Sequence, residues 1–205
     1  SARVCGEGGG DCRESAQNSW LENQQANERW YDRSSDCNFT TFHAYEYTLA
    51  VDAANLHRNV IFESATIPPA VVSAHDMKQP EELWQWLKDS CIDGSPDCDV
   101  MAIPHNSNWS SGRMWYPYSY RDDLSAEQKR NYAALRNQLE PLVEIMQVKG
   151  DSECRNGLST VYGGSDELCD FEKLRKPTED FEDCGEAYGS GGMRLVGCLS
   201  RFSYA

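Results

Sequence analysis

The sequence predicts an α/β domain whose strands deliver polar residues to one mouth of a sheet or barrel. Three stretches have the apolar character of strands: residues 40–48, 100–106 and 142–150. Helix signals separate these strands, and a strand–helix–strand order favours a largely parallel sheet. Glu46, His105 and Glu144 lie on the strands or at their ends. Because such groups are costly to bury without partners, we expect them to converge on a common ligand.

The first half of the chain alternates helix and strand signals. Residues 14–30 carry Trp20 and Trp30 among polar residues, which suits an amphipathic helix. A short strand is predicted at residues 59–63. Pro80 is followed by two glutamates, and proline in the first helical position with acids in the first turn indicates a helix start.

The second half continues the alternation after the strand that ends in His105. Ser125 and Gln128 form a capping-box pattern, so a helix is predicted from there until Pro141 stops it. A short acidic helix is predicted at residues 166–174. Residues 176–205 are rich in glycine and cysteine and are predicted to be a loop region within a single segment that spans residues 1–205.

Composition and charge limit the function classes. A chain of 205 residues with 40% hydrophobic residues is long enough for one domain with its own core. The net charge of -14 argues against nucleic acid as a partner, because phosphate backbones attract Lys and Arg. A small phosphorylated substrate stays compatible with this charge, since bound metal ions can invert the local field. No apolar run is long enough for a membrane span.

The nine cysteines point to an oxidising compartment, periplasmic or secreted. None forms a C-x-x-C motif, which argues against a structural zinc site. Four local pairs are predicted to be disulfides that cross-link loops: Cys5–Cys12, Cys91–Cys98, Cys154–Cys169 and Cys184–Cys198. Cys37 is left over, either as a buried free thiol or as the partner of a cysteine outside this sequence.

Each ionisable candidate has a functional and a structural interpretation. Glu46 is either a ligand or an outward-facing acid on an edge strand, and His57 is either a ligand or a loop histidine bonded to the backbone. His105 is the strongest candidate, because it follows a short apolar strand and precedes a polar Asn-Ser-Asn run. Lys149 either binds phosphate or ends a strand in water.

Several stretches of the chain resemble one protein family. They include Thr-Phe-His-Ala-Tyr-Glu-Tyr-Thr from Thr41, Ala-Ile-Pro-His-Asn-Ser-Asn from Ala102 and Glu-Pro-Leu-Val-Glu-Ile-Met-Gln-Val-Lys-Gly from Glu140. These stretches look like the DUF3604 family, and the resemblance covers nearly the whole chain. That family is similar to the PHP superfamily of metal-dependent phosphoesterases, so the resemblance implies part of a distorted (β/α) barrel of the PHP type.

The resemblance also implies a site. Divalent metal ions (zinc, manganese or iron) would bind at the carboxyl ends of the strands, held by Glu46, His57 and His105. The residues implied in catalysis are His105, Glu144 and Lys149. The residues implied in substrate binding are Arg58, Asn106, Gln147 and Lys149.

The chain departs from the PHP pattern in its histidines. It has four, and no two of them form the His-x-His motif that opens such proteins. We therefore expect this chain to be the central part of a longer protein. The missing ligands, and cover for the exposed sheet edges, would come from the remainder of that protein or from a partner chain.

Two functions are consistent with these features. The first is a segment of a secreted hydrolase, most plausibly a phosphoesterase in which a metal-activated water is the nucleophile; a sulfate ester or an amide is a further possible substrate. The second is a non-catalytic extracytoplasmic structural or binding domain that retains the fold.

Overall fold

The chain has a mixed α/β fold, as predicted. A computed structural model describes residues 5–6, 9–51, 54–106, 110, 113–115, 118 and 121–147. The helices are α1 (Gly10–Trp30), α2 (Pro80–Leu87) and α3 (Ala126–Leu139). The strands are β1 (His43–Tyr47), β2 (Ala50–Val51), β3 (Ala54–Asn55), β4 (Arg58–Phe62) and β5 (Val100–Pro104).

The strands form a three-stranded sheet in the order β1-β4-β5 and a two-stranded sheet of β2 and β3. Strands β2 and β3 are antiparallel. Strands β4 and β5 also run antiparallel: Glu63 N donates to Asp99 O (3.0 Å) at one end, and His105 N donates to His57 O (3.1 Å) at the other. The described strands do not form a closed barrel.

The prediction of a largely parallel sheet was therefore wrong. A helix between two strands makes them parallel only when the connection crosses from one end of the sheet to the other. Here the connection leaves β4 at Glu63 and returns beside it at Asp99, so helix α2 lies within an excursion at a single end of the strands.

The chain divides into two compact units. The first is Ser1–Glu46 with Val60–Met101, and the second is Tyr47–Asn59 with Ala102–Ala205. The division falls within β1, β4 and β5, so each unit contains part of these strands.

Trp20 on α1 is at the centre of the core of the first unit. Its side chain is 4% exposed, and its indole Nε1 donates to the carbonyl of Pro68 (3.4 Å). The rings of His43, Tyr45 and Phe62 surround it at centroid distances of 6.5, 6.0 and 6.1 Å. Most of α1 is otherwise exposed, so this aromatic cluster provides the buried packing of the helix against the strands.

Helix α2 begins as predicted, with Pro80 in its first turn. The carboxylate of Glu82 accepts hydrogen bonds from the backbone N–H groups of Lys78 (2.6 Å) and Gln79 (3.1 Å), which the helix itself cannot satisfy. The helix buries one apolar face and continues into a π-helical turn, Lys88–Ile92. That face comprises Leu83, Trp84 and Leu87.

Helix α3 confirms the capping box predicted from the sequence. Gln128 N donates to Ser125 Oγ (3.2 Å), while Ser125 N donates to Gln128 Oε1 (2.9 Å). The helix ends at Leu139, before Pro141, and buries Leu135 and Leu139.

The described part of the predicted strand at 142–150 is not a strand. Residues 141–147 are irregular, and Glu144 N donates a backbone hydrogen bond to Pro104 O (3.1 Å) at the end of β5. An apolar run of this kind predicts burial, yet its side chains are exposed: Leu142, Val143, Ile145 and Met146. Residues 148–150, the helix predicted at 166–174 and the loop region 176–205 lie outside the described residues.

Two of the four predicted disulfides are formed, Cys5–Cys12 and Cys91–Cys98. The two other pairs, which involve Cys154, Cys169, Cys184 and Cys198, lie outside the described residues. Cys37 is a free thiol, but it is exposed rather than buried. None of the helices in the described part of the chain combines the length and apolarity needed to cross a membrane.

Candidate metal centre

Three of the residues singled out in the sequence meet at one place. Each of Glu46, His57 and His105 offers one ligand atom, and these atoms all lie within 4.8 Å of one another. Glu46 is near the end of β1, His57 directly precedes β4, and His105 directly follows β5. The ends of strands thus supply all three groups, but His57 lies at the amino end of β4 and not at a carboxyl end as expected.

The antiparallel pairing of β4 and β5 is the reason that the two histidines meet. It sets the start of β4 beside the end of β5, where His105 N donates to His57 O (3.1 Å). Their imidazole rings are 5.7 Å apart between centroids, at an interplanar angle of 60°. In a parallel pairing the same two positions would lie about 17 Å apart, at opposite ends of a five-residue strand.

The donor set suits a divalent transition metal. Two imidazoles and one carboxylate form the ligand set of several catalytic zinc sites and of non-haem iron sites that keep open positions. Ligands about 2.1 Å from one ion are about 3.0–3.4 Å apart, so a largest separation of 4.8 Å can be closed by side-chain rotation. Glu46 is exposed and the histidines are half-buried, which leaves one side of the group open to solvent.

Glu144, Asn106 and Gln147 are adjacent to His105 and bond to one another. Glu144 Oε2 accepts from the backbone N–H of Asn106 (2.9 Å) and from Gln147 Nε2 (2.6 Å). Asn106 Nδ2 in turn donates to the carbonyl of Ile145. These contacts place the three predicted residues beside the histidine turn. Their catalytic and substrate-binding roles stay predictions.

Arg58 is brought next to His57 by the chain, but its side chain is buried. It is 2% exposed, and Nε donates to Glu140 Oε1 (2.6 Å) while Nη1 donates to Leu56 O (2.6 Å). Glu140 is 1% exposed and also accepts from Arg136 Nε (3.1 Å). Substrate binding by Arg58 stays a prediction, since these contacts give the guanidinium a structural role. Lys149 lies outside the described residues.

Glu140 is the residue of this region that the sequence reasoning missed. The residue directly follows the last residue of α3, where the helix dipole disfavours an acid and favours a base. A glutamate at that position, immediately before a proline, is a signal that a specific cation is bonded to it. Two arginines fill that role here.

Comparison with protein families identifies a relationship for this chain. The family model described as "Protein of unknown function (DUF3604)" matches residues 2–189. No curated protein and no solved structure matches the chain. Because the family model covers most of the sequence, including every described residue of the candidate metal centre, the chain belongs to the DUF3604 family.

Proposed function

We propose that the chain is part of a metal-dependent hydrolase that acts on a phosphate ester. The observation that carries this proposal is the convergence of Glu46, His57 and His105, whose ligand atoms lie within 4.8 Å of one another. A divalent cation bound there would lower the pKa of water and stabilise the negative charge that develops during hydrolysis.

The charge of the ligand set supports a phosphorylated substrate. Two neutral imidazoles and one carboxylate balance only part of the charge of a divalent cation, so the loaded centre stays positive and attracts an anion. This local charge opposes the net charge of the chain, which is -14. The half-buried histidines would hold the ion at the sheet, while the exposed Glu46 leaves an approach open for the ester.

The finer parts of the proposal concern the rest of the site. We propose that the remainder of a longer protein, or a partner chain, completes the ligand set and extends the strands into a PHP-type barrel. Lys149 would bind the phosphate, with Asn106 and Gln147 at the rim. The two disulfides are compatible with a periplasmic or secreted protein.

A second candidate function is a non-catalytic binding domain that retains the fold. It is favoured by the contacts of Arg58 and Glu144, two residues that the resemblance assigns to the chemistry. Arg58 is buried against Glu140, and Glu144 bonds to the backbone of Asn106. In that case the centre binds an ion and supports no turnover.

The test compares His105→Ala with a control variant, His75→Ala, in the full-length protein. His75 is an exposed loop histidine remote in sequence from the ligand set. We expect wild type and His75→Ala to bind Mn²⁺ or Zn²⁺ and to hydrolyse a generic phosphomonoester or diester. We expect His105→Ala to lose activity and to bind the ion at least tenfold more weakly.

Two outcomes would contradict the catalytic proposal or favour the non-catalytic alternative. Equal hydrolysis by wild type and His105→Ala, with metal in excess, would refute the catalytic proposal. Binding that depends on His105 without hydrolysis of any ester would support the non-catalytic alternative instead.

A further inference from the structure

The turn that carries His105 is fastened to the chain on two sides. His105 N donates to His57 O (3.1 Å), and the next backbone N–H, that of Asn106, donates to Glu144 Oε2 (2.9 Å). The backbone of His105, which lies between these two nitrogens, is therefore held at both ends. We call the residues that hold the far side, Glu144, Ile145 and Gln147, the polar clasp.

Three hydrogen bonds join the polar clasp to the turn, and a fourth lies within the clasp. Besides the bond from Asn106 N, the clasp donates from Glu144 N to Pro104 O (3.1 Å) and accepts from Asn106 Nδ2 at Ile145 O. Gln147 Nε2 donates to the same carboxylate oxygen of Glu144 (2.6 Å) and so orients it. Glu144 bonds to the turn through both its backbone and its side chain.

Apolar packing contributes little to this attachment. The side chains on either side of Glu144 are exposed, with Val143 at 40% and Ile145 at 62%. Leu142 and Met146 are exposed by 55% and 62%. Residues 142–147 therefore stay beside the turn mainly because of the polar contacts, which makes the effect of breaking them local.

The observed turn requires the contact with Glu144, because the backbone N–H of Asn106 is buried there. Its residue surface is only 7% exposed, so its backbone N–H has little access to water and requires an acceptor. Without the carboxylate, that N–H would lack its bond unless the turn rearranged. Because Asn106 follows His105 directly, such a rearrangement would move the imidazole.

We infer that Glu144 is a positioning residue, which holds the turn so that His105 can share an ion with His57. The inference rests on the proposed function in so far as an ion binds to His105 and His57. The hydrogen bonds of the clasp do not depend on that ion. In this role Glu144 orients His105 in the metal centre and does not transfer a proton. Groups that orient metal-binding histidines commonly contribute 10- to 100-fold to metal affinity.

The experiment uses three variants of the full-length protein. Glu144→Ala removes the acceptor, whereas Glu144→Gln removes the charge but keeps an oxygen that can accept from Asn106 N. Ile145→Ala is the matched control, because it changes a neighbouring exposed side chain and retains the backbone carbonyl of the clasp. Zn²⁺ affinity is measured by titration calorimetry. Amide hydrogen exchange at His105 and Asn106 is measured by NMR in metal-free protein.

In Glu144→Ala we expect Zn²⁺ affinity to fall by about 10- to 100-fold and exchange at Asn106 to rise by about tenfold or more. Glu144→Gln should recover most of both properties, which a role based on charge or proton transfer would not allow. Ile145→Ala should match wild type. Equal values for Glu144→Ala and Ile145→Ala in both measurements would overturn the inference.

The two readouts also separate this inference from the proposed function. If wild type binds no divalent ion, the metal-dependent proposal fails. Amide exchange at Asn106 requires no metal and then still tests whether Glu144 holds the turn. Faster exchange in Glu144→Ala supports that role of Glu144, and unchanged exchange overturns it.

Discussion

Replacing Glu140 by alanine is expected to destabilise the second unit more than most single substitutions would. Glu140 is 1% exposed and accepts hydrogen bonds from two arginines, at 2.6 Å from Arg58 and 3.1 Å from Arg136. Arg58 is itself 2% exposed, so the variant leaves a buried guanidinium without its carboxylate. Breaking a buried ion pair from one side costs about 3–5 kcal/mol, mainly because the remaining charge stays desolvated.

A double variant distinguishes the cost of the lone charge from the value of the pair. Arg58→Met with Glu140→Leu removes both buried charges and replaces them by side chains of comparable size. We expect it to be less destabilising than Glu140→Ala alone, because no buried ion is left without a partner. Arg121→Ala is the control, since it breaks a more exposed pair with Asp123, in which the side chains are 34% and 62% exposed.

Urea unfolding followed by circular dichroism and tryptophan fluorescence measures these differences. Coincident transitions by both probes are needed for the free energies of unfolding to be compared. A loss below about 1 kcal/mol in Glu140→Ala would refute the reasoning, because that is the range of exposed ion pairs. A double variant less stable than Glu140→Ala would refute the desolvation argument specifically.

Two further predictions concern protonation and thiols. Arg121 lowers the pKa of Asp123 from its ordinary value of 3.8 to about 2, so this carboxylate stabilises the fold above pH 4 and loses that effect as the pH falls through 2. Asp123→Asn should therefore lower stability in urea at pH 5 and lose this difference towards pH 2; parallel pH profiles of the two proteins would contradict the assignment. Titration with a thiol reagent should detect one accessible thiol, Cys37, in the unreduced chain, and two or more would show that the predicted pairs outside the described residues are not formed.

Local signals in the sequence predicted the helices well, because their causes are local. Pro80 and the glutamates that follow it begin α2, and Ser125 with Gln128 begins α3. These interactions connect residues three or four apart, so the sequence contains both partners. The same holds for the disulfide Cys91–Cys98, which closes a short loop.

The direction of the strands could not be predicted in this way. The choice between parallel and antiparallel depends on where the connection from Glu63 to Asp99 returns, and no residue within either strand encodes this. The run from Leu142 to Met146 shows a related limit, since an apolar composition indicates burial without specifying what covers it. The ligand atoms of Glu46, His57 and His105 are neighbours, but the physical reason differs from the one expected. The antiparallel pairing sets the start of β4, where His57 lies, beside the end of β5, where His105 lies.

The separation in sequence of the groups around His57 has a consequence for folding. Arg58 and Glu140 are 82 residues apart, and His57 meets His105 only after the whole excursion through α2 has closed. Contacts between distant residues form only after the loop-closure entropy has been overcome, so they depend on the rest of the chain being in place. An ion that requires both histidines would therefore bind the native chain and not its early intermediates, so metal uptake would report the completion of folding and would shift the equilibrium towards it by mass action.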